Sequence, residues 1–312
     1  MRHFLSVAIC VIVSLALLAL SVRYVSGFWF FSTAHSLQLH LSAACILALL
    51  FALFLRRHIL PLGLLFVSVL FLAHGLWMTH ELVQVGPSPA PDAPVFRLMS
   101  INILMNNFEN AQAIRDAILQ SGADVVNVME AAPLRPELAA LSEVYPYRIG
   151  CGEMTSECDL MVLSRTPLSS STIVTLSNVF EERMMLTQVS FQGQPIHVAA
   201  IHTTKPYFDN FQTTELTNAA RVLGRVKGPL LLSGDFNASS LAPNVRQFLR
   251  WTALRTAPWE PATWPDWAGW FGVPIDHVYV RPPVRIKSLQ RLPDTLGSNH
   301  YGLIADVTID LP

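Results

Sequence analysis

Between residues 4 and 78 the chain carries three formal charges, Arg23, Arg56 and Arg57. Inside that interval, residues 4–22, 37–55 and 60–78 are each apolar enough to span a hydrocarbon core, which takes roughly 20 residues of helix. A cleaved signal peptide is the rival reading of the first stretch. Its apolar run exceeds the usual ~7–15 residues, and no small-x-small cleavage site follows. Three retained helices are therefore expected, making residues 1–86 a membrane anchor and lipid the first partner. The basic flanks set the orientation: Arg2 and the Arg56-Arg57-His58 turn belong on the cytoplasmic side. Helix three then exits outward, which predicts a multi-pass inner-membrane protein with an extracytoplasmic C-terminal domain. Phe28, Trp29, Phe30 and Phe31 fit an aromatic belt on the outer side. His40 and His74 lie within the spans, and packed neutral histidines are a commoner arrangement than a proton path.

Residues 87–94 alternate proline with small residues. Counted from Gly86 to Pro94, such a linker favours an extended polyproline form, a spacer of roughly 28 Å at ~3.1 Å per residue, expected to lift residues 95–312 off the bilayer. Cys10 and Cys45 fall in the spans as small apolar residues. Cys151 and Cys158 share a polar loop without the further ligands a zinc site needs. A loop-closing disulfide, which agrees with an oxidising compartment, and two free thiols both stay open.

Beyond the linker, short apolar runs alternate with turn signals. Strands are expected at 96–103, 125–129, 160–163, 185–191, 196–201, 229–232, 277–280 and 303–309, and helices at 111–120 and 210–226. Many strands with few helices predict an α/β sandwich of mixed sheets. No Gly-rich phosphate loop and no G-x-S-x-G elbow occurs in the sequence, which counts against nucleotide kinases and serine hydrolases.

Polar residues sit where these strands end. Asn102 closes the first, Glu130 the second and His202 another; Asp235 and Asn237 follow Leu-Leu-Leu-Ser-Gly; Asp276 opens a strand; Ser298-Asn299-His300 precedes the last. Singly each reads as a turn or cap. Together, carboxylates, amides and imidazoles at one sheet edge suit a hard divalent cation, Mg²⁺ or Mn²⁺, and phosphate chemistry with acid–base help.

Ser-Ile-Asn-Ile-Leu, Met-Glu, Ile-His-Thr, Gly-Asp-Phe-Asn-Ala, Ile-Asp-His and Ser-Asn-His, in that order, resemble the deoxyribonuclease I-like endonuclease/exonuclease/phosphatase superfamily. The likeness runs from about residue 96 to the C-terminus, and the membrane prefix resembles a bacterial branch. It implies a four-layer α/β/β/α sandwich and a metal-dependent phosphoesterase acting on a phosphate ester. By the same resemblance Glu130 ligates the metal with Asn102 beside it. Asp235 positions or deprotonates the attacking water, and Asn237 holds a phosphate oxygen. His202 contacts the phosphate or serves the leaving group. Asp276 orients His300, which binds the scissile phosphate or transfers a proton. One departure is Asn299, where the family usually has a metal-proximal aspartate; an amide there weakens metal binding and leaves a silent scaffold as the rival reading.

Of the 21 basic residues Arg2, Arg23, Arg56 and Arg57 precede Pro87, and of the 22 acidic ones Glu81 does, leaving a net charge of −4 beyond it. That balance argues against broad duplex binding, while nucleic acid, lipid head group and small ester all remain open as substrates. Arg281, Arg285, Lys287 and Arg291 read as a solvated strand face. Trp251, Trp259, Trp264, Trp267, Trp270 and Phe271 crowd one segment; a packed satellite core is expected in preference to an aromatic wall for bases or lipid. The sequence points to no protein partner, and the spans lack the acidic residues a transport path would use.

Overall fold

The computed structural model describes residues 1–86 and 89–309; Pro87 and Ser88 of the expected linker lie outside the described residues. Four helices come first: α1 (Arg2–Ser21), the short α2 (Ser32–Ser36), α3 (Gln38–Leu55) and α4 (Ile59–Glu81). Three segments, Arg2–Tyr24, Gln38–Leu55 and Ile59–Glu81, are long and apolar enough to cross a membrane. Cys10 and Cys45 are buried where these helices meet.

The rest alternates strand and helix: β1 (Phe96–Asn102), α5 (Ala111–Gln120), β2 (Val125–Met129), α6 (Leu138–Ser142), β3 (Tyr147–Ile149), β4 (Leu160–Ser164), β5 (Ser169–Val174) and β6 (Met184–Phe191). There follow β7 (Gln194–His202), α7 (Phe211–Leu223), β8 (Leu230–Asp235), α8 (Pro243–Thr252), β9 (Asp276–Arg281), β10 (Val284–Arg291) and β11 (Leu303–Ile309). One sheet runs β10-β11-β1-β2-β4-β3 and the other β5-β6-β7-β8-β9. Within them β1 and β2 pair in parallel, as do β7 and β8, among antiparallel neighbours.

The sequence dictates this layering. Val125–Met129 and Leu230–Asp235 are buried at every position, as central strands covered on both faces must be. Leu98, Val125, Val198, Leu231 and Val278 fill the space between the sheets. Ile114 and Ile118 of α5, one turn apart, close the outside of the first sheet. Leu216, Leu223, Val245 and Phe248 of α7 and α8 do the same for the second. The result is the expected α/β/β/α sandwich. A buried polar bridge, Asn127 Nδ2 to Ser233 Oγ at 2.8 Å, crosses between the sheets.

The expected stand-off from the bilayer is not what the contacts give. Ser239 is bonded to Ser36 through Ser36 Oγ at 3.1 Å and the Ser36 carbonyl at 3.0 Å. Arg246 donates to the Met78 carbonyl at 2.9 Å and pairs with Glu81, as does Arg250. Leu82 is buried in the core of the second sheet's outer layer, and Val83 bridges Thr256. Further on, Gln84 and Lys287 tie the chain to β10 through Ile286 and the Pro91 carbonyl. Gln84 and Pro91 are thus pinned to an edge strand, which offers free backbone groups to the one and a lysine to the carbonyl of the other. The expected solvated face is correspondingly engaged: Arg281 reaches the Leu223 and Val226 carbonyls, and Arg285 that of Val85.

Candidate active site

Strand register assembles the site. His202 pairs with Asp235 across β7 and β8, and Asp235 with Asp276 across β8 and β9, so three strand ends present their side chains in one row. Asn102 ends β1 opposite Met129 of β2, which puts Glu130 next to it. Gly234 makes the row sharp: a Cβ there would lie 1.8 Å from the Ile201 carbonyl oxygen, and its φ is +152°. Glu130 and Asn237 both hold positive φ, +57° and +49°, a conformation that costs of order 1 kcal/mol or more outside glycine. Each thereby turns its side chain back toward the strand ends.

The centre is one oxygen, Asp235 Oδ2. Asn102 Nδ2 donates to it at 3.0 Å, while His202 Nε2 and His300 Nε2 stand 3.7 and 4.0 Å away. The other nitrogen of each imidazole is tied to a carboxylate: His202 Nδ1 to Asp159 Oδ2 at 2.8 Å, His300 Nδ1 to Asp276 Oδ2 at 2.8 Å. Those bonds fix the rings so that both Nε2 atoms face inward. Asn102 Nδ2 also reaches Glu130 Oε1 at 3.2 Å, and Glu130 Oε2 accepts the Met105 N–H at 2.6 Å. Asn237 gives its N–H to Asp235 Oδ1 at 2.7 Å and its Nδ2 to the Thr203 carbonyl at 2.9 Å.

Charge follows from burial and partners. Burial pushes the His300 imidazole down, but the charges of Asp276 and Asp235 and the Asp276 hydrogen bond lift it to about 9. His202 moves up as well, burial again being outweighed by Asp159. Asp235 is raised by burial and by the neighbouring Asp276 charge, against the pull of both histidines. Near neutral pH His300 is therefore an imidazolium, His202 is shifted toward its charged form, and both face a carboxylate whose basicity is enhanced.

Of the ligands expected for a metal, Glu130 and Asn102 are hydrogen-bonded to each other at the site, and Asn299 directly precedes His300. The Asn299 side chain is exposed and, among the described residues, makes no hydrogen bond; its backbone carbonyl accepts from Asp266 N at 3.2 Å. The tight cluster is instead Asp235, Asp276 and His300, whose ligand atoms lie within 4.8 Å of one another. Asp276 Oδ1 is buried without a hydrogen-bond partner among the described residues. An orphaned carboxylate oxygen beside Asp235, to which Asn102 joins Glu130, is a hard donor set, which fits a divalent cation.

Two contributors escaped the sequence. Asp159 splits its oxygens between His202 and Arg183, the latter at 3.0 Å, and it follows Cys158, which is disulfide-bonded to Cys151. Thr263 Oγ1 accepts the N–H groups of Ile275 and Asp276 at 3.1 Å. The signal for Asp159 was an acidic residue opening an apolar run, Leu-Met-Val-Leu. The aromatic segment departs from expectation: Trp251, Trp259, Trp264, Trp267, Trp270 and Phe271 are all exposed rather than packed in a satellite core, and Trp259 and Trp270 line a cavity shared with α3 and α4.

Similar folds are widespread. D. rerio TDP2 complexed with a single-strand DNA product superposes with a TM-score of 0.58 at 16% identity, covering 69% of this chain and 99% of that one. For the human Nocturnin catalytic domain with bound sulfate the values are 0.55, 19%, 70% and 95%. For sphingomyelinase C from Streptomyces griseocarneus they are 0.52, 16%, 68% and 99%. At such identities the likeness is one of fold. No curated protein matches the chain in sequence. The model of the Endonuclease/Exonuclease/phosphatase family matches residues 99–300, more than half of the chain and all of the site just described, and the protein belongs to that family.

Proposed function

We propose that the protein is a membrane-anchored, divalent-metal-dependent phosphodiesterase, with residues 1–86 as anchor, 87–94 as linker and 95–312 as the catalytic domain facing the extracytoplasmic side. The observation that carries the reading is the convergence of two carboxylate-held imidazoles and an amide on Asp235 Oδ2. In this reading Glu130, with Asn102 beside it, would hold Mg²⁺ or Mn²⁺, which would supply charge neutralisation to a phosphate oxygen. Asp235, poised by burial, takes the proton of the attacking water. His202 and His300 donate from Nε2 to the non-bridging oxygens, and one of them protonates the departing alkoxide. Asn237 holds a further phosphate oxygen. Asp159 and Asp276 position the two rings. Hydrogen-bond donors aimed at charge that grows in the transition state contribute about 3 kcal/mol each.

The rival, a silent scaffold, rests on Asn299. Against it stands the exposed position of that side chain, since none of the hydrogen bonds that build the centre passes through it. The test is hydrolysis of bis-p-nitrophenyl phosphate by the full-length protein in detergent, with Mg²⁺, Mn²⁺ or chelator, beside Glu130→Ala. Metal-dependent turnover lost in the variant is expected. An inert but folded wild type would transfer the case to the scaffold.

A further inference from the structure

The aromatic turn Asp266–Phe271 stands where the catalytic domain meets the anchor. Trp267, Trp270 and Phe271 are 84%, 72% and 86% exposed. His40 Nε2 lies 3.0 Å from the Phe271 carbonyl, and His40 belongs to the first turn of α3, the span Gln38–Leu55. At ~1.5 Å rise per residue, that contact fixes the turn at the level where the span leaves the hydrocarbon. Amphipathic rings are favoured at that depth, and so large an exposed aromatic patch is disfavoured in water. Arg291 is stacked between Trp270 and Tyr301, 4.0 and 4.1 Å from the ring centres, which places a fixed cation beside the same turn.

Between the turn and the spans lies a cavity of about 480 Å³ lined by Leu39, Ala43, Leu72, Leu76, Trp270 and Val273, among others. That volume falls within the ~300–1,000 Å³ of sites that bury an apolar ligand. Two of its walls are α3 and α4 themselves, so the cavity reaches into the depth of the bilayer. The segment that forms its third wall also frames the catalytic centre. Thr263 binds the Asp276 N–H, Tyr301 N donates to the Thr263 carbonyl at 2.9 Å, and Asp266 N donates to the Asn299 carbonyl beside His300.

We infer that the cavity holds the apolar chain of a membrane lipid phosphodiester, with Trp267, Trp270 and Phe271 seated in the interface, so that the ester presented to Asp235 and His300 belongs to a lipid head group. The substrate half of this inference rests on the phosphodiesterase reading above; the chain-binding half does not. In the reaction the water oxygen bonds to phosphorus, one P–O ester bond breaks, and the departing alkoxide takes a proton. The products are an alcohol and a phosphomonoester. The net charge of −4 beyond residue 86 disfavours the alternative use of the tryptophans, stacking the bases of a polyanion.

The experiment uses the full-length protein in phosphatidylcholine vesicles containing a phosphatidylglycerol with a diazirine in one acyl chain. After illumination, peptide mass spectrometry maps the label, and release of glycerol or glycerol phosphate reports hydrolysis. Ala43→Trp and Leu76→Trp fill the cavity from two different helices, and retained turnover of bis-p-nitrophenyl phosphate shows that each variant is folded. The expected result is label on residues 270–274, lost in both variants while label on α1 persists, with lipid hydrolysis lost in parallel. Label on 270–274 that survives both variants, or never occurs there, overturns the cavity assignment. Label that behaves as expected while both phosphodiesters stay inert removes the hydrolase reading and leaves the lipid-chain site standing. Turnover of a dissolved oligonucleotide, with lipid inert, overturns the substrate assignment.

Discussion

Replacing Asp276 by asparagine removes one charge and keeps the shape of the side chain, so its effect on His300 isolates the electrostatic part of the site. In the wild type the imidazole is lifted from 6.5 to about 9 against the downward push of its own burial. At 1.36 kcal/mol per pKa unit, the protonated ring is favoured by about 3 kcal/mol relative to an unfolded histidine. The sign follows from linkage: with the folded value raised, the stabilisation is complete below 6.5 and disappears as the pH climbs through about 9. In Asp276→Asn burial keeps its downward pull, and Asp235, 4.0 Å from Nε2, is the principal carboxylate still supporting the charge. The His300 resonance is then expected to titrate at or below 6.5, leaving the ring mostly neutral at the pH of assay. Histidine-labelled full-length protein in detergent micelles, with chelator so that no bound cation contributes, gives both titrations by NMR. A wild-type ring titrating near 6.5 would refute the reasoning, as would a variant ring still titrating near 9.

Asp159→Asn should strip the partner from Arg183 and His202 together. Leaving a guanidinium uncompensated costs about 3 kcal/mol, read as a lower unfolding midpoint, and the His202 limb of the pH–rate profile should move to lower pH. For Gly234→Ala, the 1.8 Å approach to the Ile201 carbonyl predicts a loss of about 4 kcal/mol and of turnover, measured by denaturant titration and assay. Reduction of Cys151–Cys158, a bridge between residues 7 apart in sequence, should lower stability by about 2 kcal/mol and reduce turnover, since Asp159 follows directly; thermal unfolding with and without dithiothreitol checks it.

The strands legible in the sequence are those with sheet or helix on both faces. Val125–Met129 and Leu160–Ser164 are buried at every position and apolar but for Asn127 and Ser164, and burial admits little else there. Ser169–Val174, with its three leading serines, and the charged β10 escaped because they are sheet edges half in water. The same logic governs the site. Asn102, Glu130, His202, Asp235 and Asp276 were visible as polar residues abutting apolar runs. Asp159 abuts such a run too, but its role was hidden because it depends on His202 and Arg183, 43 and 24 residues away. Docking of the anchor was hidden for a related reason. Ser36 meets Ser239, and Glu81 meets Arg246, only through tertiary folding; a proline-rich stretch read locally promised a spacer instead.

The central claim, metal-dependent phosphodiester hydrolysis around Asp235, is met most directly by one rate comparison. Full-length wild type, Asp235→Asn and His300→Ala are assayed on bis-p-nitrophenyl phosphate in detergent, each with Mg²⁺ and with chelator. The account predicts turnover only for the wild type with metal, both variants falling by at least about 100-fold. Equal rates for wild type and folded Asp235→Asn, or rates indifferent to chelator, would contradict it.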